Sequence, residues 1–330
     1  MSKKYILPLY VAVASILIVC LAISIAFKPV EQPDGSVTDA YKEKSSQSCI
    51  LVMGKDKVSE LSDVIMLVSF DKDQKSAAVM QIPRDTYAKY TSVSPRKINA
   101  APKILGEEGF CAFLSENLGV KIDGYVSFEL EAFGRMVDII GGVEMTLSRN
   151  FDYEDPEQNL YIHLKKGRQS LNGAQAQMLV RFRKGYIRGD LDRLDVQKQF
   201  IAAFIAKVKS SVNIMNIYSL ASEILPLLNT NIGAMTLFSL GINALSVNEE
   251  NVALFTLPGE DTRAGENGAS YYVMSAKSTQ DALVRYFGKV SENIDKNRVF
   301  CNFEYEKFKK IYEKTYELDI SFAKGLNKME

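Results

Sequence analysis

Residues 50–85 read ILVMGKDKVSELSDVIMLVSFDKDQKSAAVMQIPRD. Three short apolar runs stand in this stretch, Ile50–Met53, Val64–Phe70 and Ser76–Ile82. Their length and lack of strict alternation predict strands covered on both faces. Asp71-Lys72-Asp73-Gln74-Lys75 is a polar turn that makes the last two an antiparallel hairpin. If Phe70 pairs with Ala77, the constant sum of paired positions sets Asp63 opposite Arg84. The connection from Met53 to Asp63 is short, so Asp56 returns to the same end of the sheet. On this reading Asp56, Asp63, Arg84 and Asp85 converge. On the plainer one, Asp56 and Asp63 sit in loops and Arg84-Asp85 is a strand-ending turn after Pro83.

Further along the chain, apolar periodicity predicts helices at Gly106–Leu118 and Phe128–Ile140, a strand at Val143–Leu147 and a helix at Asn172–Leu179. A long amphipathic helix follows from about Asp190 to Ser210, with Leu194, Ile201, Ile205 and Val208 on one stripe. More helices are expected at Ile214–Leu225, Met235–Leu245 and Thr279–Phe287, with a strand at Val252–Leu257. Strands and helices mixed in this way predict an α/β fold, a three-layer α/β/α sandwich with a central mixed sheet, over residues 49–290. The tail 291–330, rich in Lys, Glu, Tyr and Phe, reads equally as a terminal helix or an arm.

Tyr5 to Phe27 is an uncharged apolar run, long enough as a helix to cross the roughly 30 Å hydrocarbon layer. Lys3 and Lys4 precede it, so residues 1–4 stay cytoplasmic and the rest is exported, a single-pass type II membrane anchor. A cleaved signal peptide ending near Ser24 and Ala26 is the rival, but the apolar run exceeds that of a secretory leader. Residues 28–48, with Pro29, Pro33 and Gly35 among Lys, Glu, Ser and Gln, read as an extracellular stalk.

Forty Lys and Arg balance forty Asp and Glu over 330 residues, which leaves no electrostatic reason to expect nucleic acid. A single histidine, His163, excludes a multi-histidine metal site, so chemistry must rest on carboxylates, Arg and Lys. Cys49, Cys111 and Cys301 form at most one pair. Cys49 with Cys111 is one option and buried free thiols the other.

A second charged cluster holds Arg181, Arg183, Lys184, Arg188, Asp190, Arg193 and Gln197. Arg181 and Arg183 share a face only where the chain is extended, whereas Asp190, Arg193 and Gln197, at i, i+3 and i+7, share a helix face. Guanidiniums directed at one place repel unless an anion sits between them, and Arg suits bidentate phosphate contact. A solvated charged face, with Asp192 and Asp195 pairing to the arginines, is the bland alternative. Carboxylates near the arginines also suit Mg²⁺ bridging a diphosphate.

The ordered motifs ILVMGKD and LSDVIMLVSFD at 50–71, MQIPRDT at 80–86, KINAA at 97–101, VDIIGGVEM at 137–145, LNGAQAQMLVRFR at 171–183 and GDLDRLDVQ at 189–197 resemble the LytR-CpsA-Psr family of cell-wall glycopolymer transferases. The resemblance runs from Cys49 to about Phe287. It implies a membrane-anchored enzyme that moves a glycopolymer, such as teichoic acid or capsule polysaccharide, from a polyprenyl-diphosphate carrier onto peptidoglycan, outside a Gram-positive-type cell membrane. It also implies magnesium on Asp56 and Asp63, phosphate contacts from Arg84, Arg181, Arg183 and Arg193, and further polar contacts from Asp85, Lys97, Asp190 and Gln197. Departures stand at Leu61, Asp192 and Val196, two of them where relatives often carry Arg. Lys57, Arg188 and Lys198 are the candidates to compensate. Phe128, Leu130, Phe133, Met136 and Val137 with Phe200, Ile201, Phe204 and Ile205 either line a lipid groove or form plain core. A non-catalytic lipid-diphosphate-binding module and a lipid pyrophosphatase are the competing functions.

Overall fold

The computed structural model describes residues 47–57, 59–90, 97–156, 160–182, 184, 186, 190–211, 223–233, 236–237, 240, 246–262, 270–288 and 305–326. The expected span at 5–27 and the stalk before Gln47 lie outside these residues. Among the described residues no helix is long and apolar enough to cross a membrane.

In chain order the strands are β1 (Gln47–Lys55), β2 (Ser62–Asp71), β3 (Ser76–Gln81), β4 (Gly124–Glu129), β5 (Val143–Leu147), β6 (Phe151–Asp155), β7 (Leu160–Leu164), β8 (Gly167–Leu171), β9 (Leu228–Thr230), β10 (Val252–Thr256), β11 (Gly259–Thr262), β12 (Tyr271–Met274) and β13 (Ser321–Phe322). The longer helices are α1 (Ala101–Leu118), α2 (Leu130–Ile139), α3 (Gly173–Arg181), α4 (Asp190–Ser211), α5 (Ala276–Phe287) and α6 (Tyr305–Tyr312). Seven strands form one mixed sheet in the order β13-β10-β3-β2-β1-β4-β9. β1, β2 and β3 are antiparallel neighbours, while β4 lies parallel to β1 and β10 parallel to β3. Phe70 pairs with Ala77 in the register read from the turn.

Alternate strand residues feed two cores. Ile50, Val52, Met66, Val68 and Val79 pack with α2, α3 and α4 on one face. Leu51, Met53, Ile65, Leu67 and Met80 pack with α1 and α5 on the other. With both faces covered, the three central strands are buried almost throughout, and so they show continuous apolar runs.

Several expected boundaries move. Phe128 belongs to strand β4, which periodicity missed, and the helix begins at Leu130. GYVSFE is as short and β-rich as the other strands, but it runs into a helix without a turn residue between them. α1 starts at Ala101 rather than Gly106, because Gly106 adopts φ +71° and bends the helix at the point where the apolar pattern begins. The paired strands β5–β8 and β6–β7 also went unread beyond Val143–Leu147. They alternate buried with exposed residues on single-sided ribbons, a weaker signal than a fully buried run. The tail contributes α6 and the edge strand β13, which pairs Ala253 with Phe322. The expected helices 214–225 and 235–245 lie mostly outside the described residues, as does Cys301. Cys49 and Cys111 are free and buried.

The apolar stripes of α2 and α4 face each other, with Phe133 and Phe200 edge to face at 5.8 Å, and both belong to one buried cluster. Among the described residues they pack as core. Where α2 crosses α3, the Gly173 N–H donates to Asp138 Oδ1 at 2.7 Å, and a Cβ on Gly173 would collide with the Gly134 carbonyl. The crossing is therefore backbone to backbone at the start of α3.

Candidate functional site

The adjoining ends of β1, β2 and β3 hold the first cluster. Asp56, 3% exposed, follows β1, and its Oδ1 accepts from the Ser59 N–H at 2.6 Å. Asp63, also 3% exposed, stands at the start of β2 and accepts from Arg84 Nη1 at 2.8 Å. The turn after β3 thus delivers Arg84 onto Asp63, as the hairpin arithmetic required. Asp85 accepts from Lys97 Nζ at 2.8 Å, and Arg84 Nε lies 4.0 Å from the same Asp85 oxygen. Tyr87 bridges Lys97 in antiparallel fashion, which ties KINAA to the PRDT turn. Asp63, Arg84, Asp85 and Lys97 therefore form one chain of alternating charges.

The second cluster arrives on α3 and α4. A reciprocal capping box starts α3, with Asn172 and Gln175 each bonding the other's backbone. The helix still includes Arg181, two residues beyond the expected end at Leu179, and breaks at Phe182, which is extended at φ −66°, ψ 134°. Burial pulls the Arg181 guanidinium below its ordinary value, and the carboxylates of Asp56 and Glu131 pull it back up. Arg181 thus feels the charge of the strand-end cluster. Arg193 is 1% exposed and Gln197 is wholly buried on α4. Arg183 and Arg188 lie outside the described residues, as does the side chain of Asp190, the first residue of α4.

Three groups that sequence reasoning passed over join this layer. Ala77 and Val79 face the α4 side of the sheet, so Gln81 faces it too, and Ser62 follows from Val64 and Met66 in the same way. The Ser62 hydroxyl and both amide atoms of Gln81 and Gln197 are buried with no hydrogen-bond partner among the described residues. The signal was a polar residue inside an apolar strand, Gln81 in AAVMQI. Arg149 is the third, its guanidinium 4.8 Å from the Tyr186 ring and near those of Phe151 and Phe182. Burial pushes the Tyr186 hydroxyl up to about 12 despite Arg149 and Arg193 nearby.

Two of the three expected compensators, Lys57 and Lys198, take other roles, and Arg188 lies outside the described residues. Lys57 pairs with Glu129 at the exposed surface. Lys198 is 3% exposed with its ammonium between Asp195 at 2.8 Å and Asp319 at 3.3 Å, so it is committed away from Gln197's face. Among the described residues no three His, Cys, Asp or Glu side chains assemble into a metal cluster. Two buried carboxylates still fit Mg²⁺, which takes one or two from protein and the rest of its oxygens from substrate phosphates and water. A buried layer that holds Arg193 and the Gln81 and Gln197 amides, which lack hydrogen-bond partners among the described residues, suits a multiply charged, oxygen-rich anion.

A sequence model of the LytR_cpsA_psr family matches residues 24–285. The polyisoprenyl-teichoic acid–peptidoglycan teichoic acid transferase TagV of Bacillus subtilis is 29% identical over 223 residues, 66% of this chain and 57% of that protein. The matched stretch thus spans little more than half of that relative. TagU of Bacillus mycoides, named for the same transfer, is 29% identical over 255 residues, 76% of this chain and 82% of its own. The crystal structure of B. subtilis TagV superposes with a TM-score of 0.64 at 28% identity, covering 74% of this chain and 99% of that one. Because the family match takes in both charged clusters and the sheet that joins them, this chain belongs to the LytR_cpsA_psr family.

Proposed function

We propose that this protein is a membrane-anchored phosphotransferase that moves a glycopolymer from a polyprenyl-diphosphate carrier onto peptidoglycan. The names of TagV and TagU support the transfer. The observation that carries the reading is the buried Arg84–Asp63 pair at the strand ends, with Arg181 of the second cluster within electrostatic reach of Asp56 and with Arg193, Gln197 and Gln81 buried. An acceptor hydroxyl oxygen bonds to the phosphorus bearing the glycan, and the bridging bond to the lipid's phosphate breaks. Polyprenyl phosphate leaves with the electron pair, and the hydroxyl proton passes to solvent or to a base that we leave unassigned. Arg84, Arg181 and Arg193 hold the two phosphates and offset the charge that builds as the bridge breaks. Asp63 orients Arg84, Lys97 orients Asp85, and Gln197 donates its amide to a phosphate oxygen. Mg²⁺ on Asp56 and Asp63 would supply further charge neutralisation when bound.

The test incubates the full chain in detergent with a polyprenyl-diphosphate oligosaccharide and peptidoglycan fragments, with and without Mg²⁺. Mass spectrometry follows the glycan–peptidoglycan adduct beside Arg84→Ala and Asp63→Ala, with melting curves as folding controls. Adduct that needs Mg²⁺ and disappears in folded variants supports the reading. The commitment of Lys198 to two carboxylates removes one candidate replacement for the cation absent at Val196, which favours a non-catalytic binding module as the second reading. Tight lipid binding with no adduct would select it, and lipid phosphate released to water without acceptor would select the pyrophosphatase.

A further inference from the structure

Residues 305–326 lie beyond the stretch that matches the family, yet they reach both sides of the site. On one side, α6 sets Phe308, 2% exposed, against Tyr87 with ring centroids 5.2 Å apart. Tyr87 is three residues from Arg84, bridges Lys97, and donates its N–H to the Tyr272 carbonyl at 2.8 Å. Phe308 therefore backs the turn that presents Arg84, Asp85 and Lys97. On the other side, Asp319 meets Lys198 at 3.3 Å, and Lys198 is the neighbour of Gln197 on α4.

The path between these two points is clamped. The Ser275 hydroxyl donates to the Lys314 carbonyl at 2.5 Å, the Tyr316 N–H donates to the Ser278 hydroxyl at 2.7 Å, and Lys314 pairs with Glu260 at 3.0 Å. Beyond it, β13 joins the sheet edge, Ala323 is buried and Lys324 pairs with Glu250 at 2.7 Å. Lys198 is buried with Asp195 as its nearer partner, and Asp319, 77% exposed, ties the segment to α4 from the outer side.

We propose that residues 305–326 form a strap that sets the spacing between the Arg84–Lys97 turn and the Arg193–Gln197 face of α4, with Phe308 and Asp319 as positioning residues. Its ligand readout rests on the diphosphate reading of the site. Its structural readout does not.

The experiment uses the full chain with Asp319→Asn, Asp319→Glu and Phe308→Leu. Amide hydrogen exchange is read at residues 84–99 and 190–200, and affinity for geranylgeranyl diphosphate with Mg²⁺ is read by calorimetry. Asp319→Asn should speed exchange in 190–200, and Phe308→Leu in 84–99. Each should weaken binding by about three- to thirtyfold, as for positions coupled to a site without touching its ligand. Asp319→Glu should restore both, and exchange in β1 and β2 should stay at its original rate. Unchanged exchange in both segments overturns the strap, as does faster exchange throughout the sheet, which would mark a general folding role. Faster local exchange with no geranylgeranyl diphosphate bound by the parent chain keeps the strap and sinks the diphosphate reading.

Discussion

The Arg84–Asp63 pair yields the sharpest prediction, because its partners are 13% and 3% exposed at 2.8 Å. At an effective dielectric constant of about 20, the Coulomb attraction at that distance is roughly 6 kcal/mol. Desolvation of both ions offsets much of it, and removing one partner leaves the other charge buried, which costs about 3–5 kcal/mol in such pairs. Asp63→Ala should therefore lower unfolding stability by about 3–5 kcal/mol. The double variant with Arg84→Ala should recover part of that loss, because no orphaned charge remains. A urea-unfolding cycle of the parent chain, both single variants and the double variant isolates the pair, and most of its coupling should survive in 1 M salt. Additivity within about 0.5 kcal/mol would refute the claim that this pair organises the strand ends.

Further outcomes follow from individual groups. Gln197→Leu, replacing an amide with no partner among the described residues, should raise stability by about 1 kcal/mol while weakening geranylgeranyl diphosphate binding about tenfold or more, as read by melting and calorimetry. Gly173→Ala should cost about 1–3 kcal/mol in urea unfolding, because its Cβ meets the Gly134 carbonyl and the Asp138 carboxylate. Burial raises the thiols of Cys49 and Cys111, the latter up to about 12. Folded values above the unfolded value of about 8.5 mean full stability below that pH and a loss of up to about 1.4 kcal/mol per unit per thiol as pH rises past it. A urea midpoint measured from pH 8 to 10 should fall accordingly, with a shallower fall in Cys111→Ala.

Much of the architecture was legible in the chain because burial on both faces writes itself as unbroken apolar runs. The register of β2 with β3 follows from one polar turn, and that register alone sets Asp63 against Arg84. The grouping of Asp63, Arg84 and Asp85 likewise comes from neighbouring segments, whereas Lys97 is implied only by the family resemblance and is joined to Asp85 by the fold. β4, β6, β7 and β8 escaped because a strand running straight into a helix, or wet on one face, leaves little periodic trace in a short window.

The second half of the site depended on contacts between segments far apart in sequence. Residue order alone presents Arg193, Gln197 and Lys198 as one run of polar positions on a helix. Packing separates them, turning Gln197 into the layer beneath the sheet and Lys198 toward Asp195 and Asp319. No local rule links Asp319 to Lys198 or Phe308 to Tyr87, since those pairs exist only after the sheet edge has closed. The sequence by itself determined the central strands β1–β3, the hairpin register and the residue types of an anion site, since these depend on periodicity and turn chemistry. The tertiary structure decided which cations face that site and which are held elsewhere, because the direction of a long side chain is set by the partners packed around it.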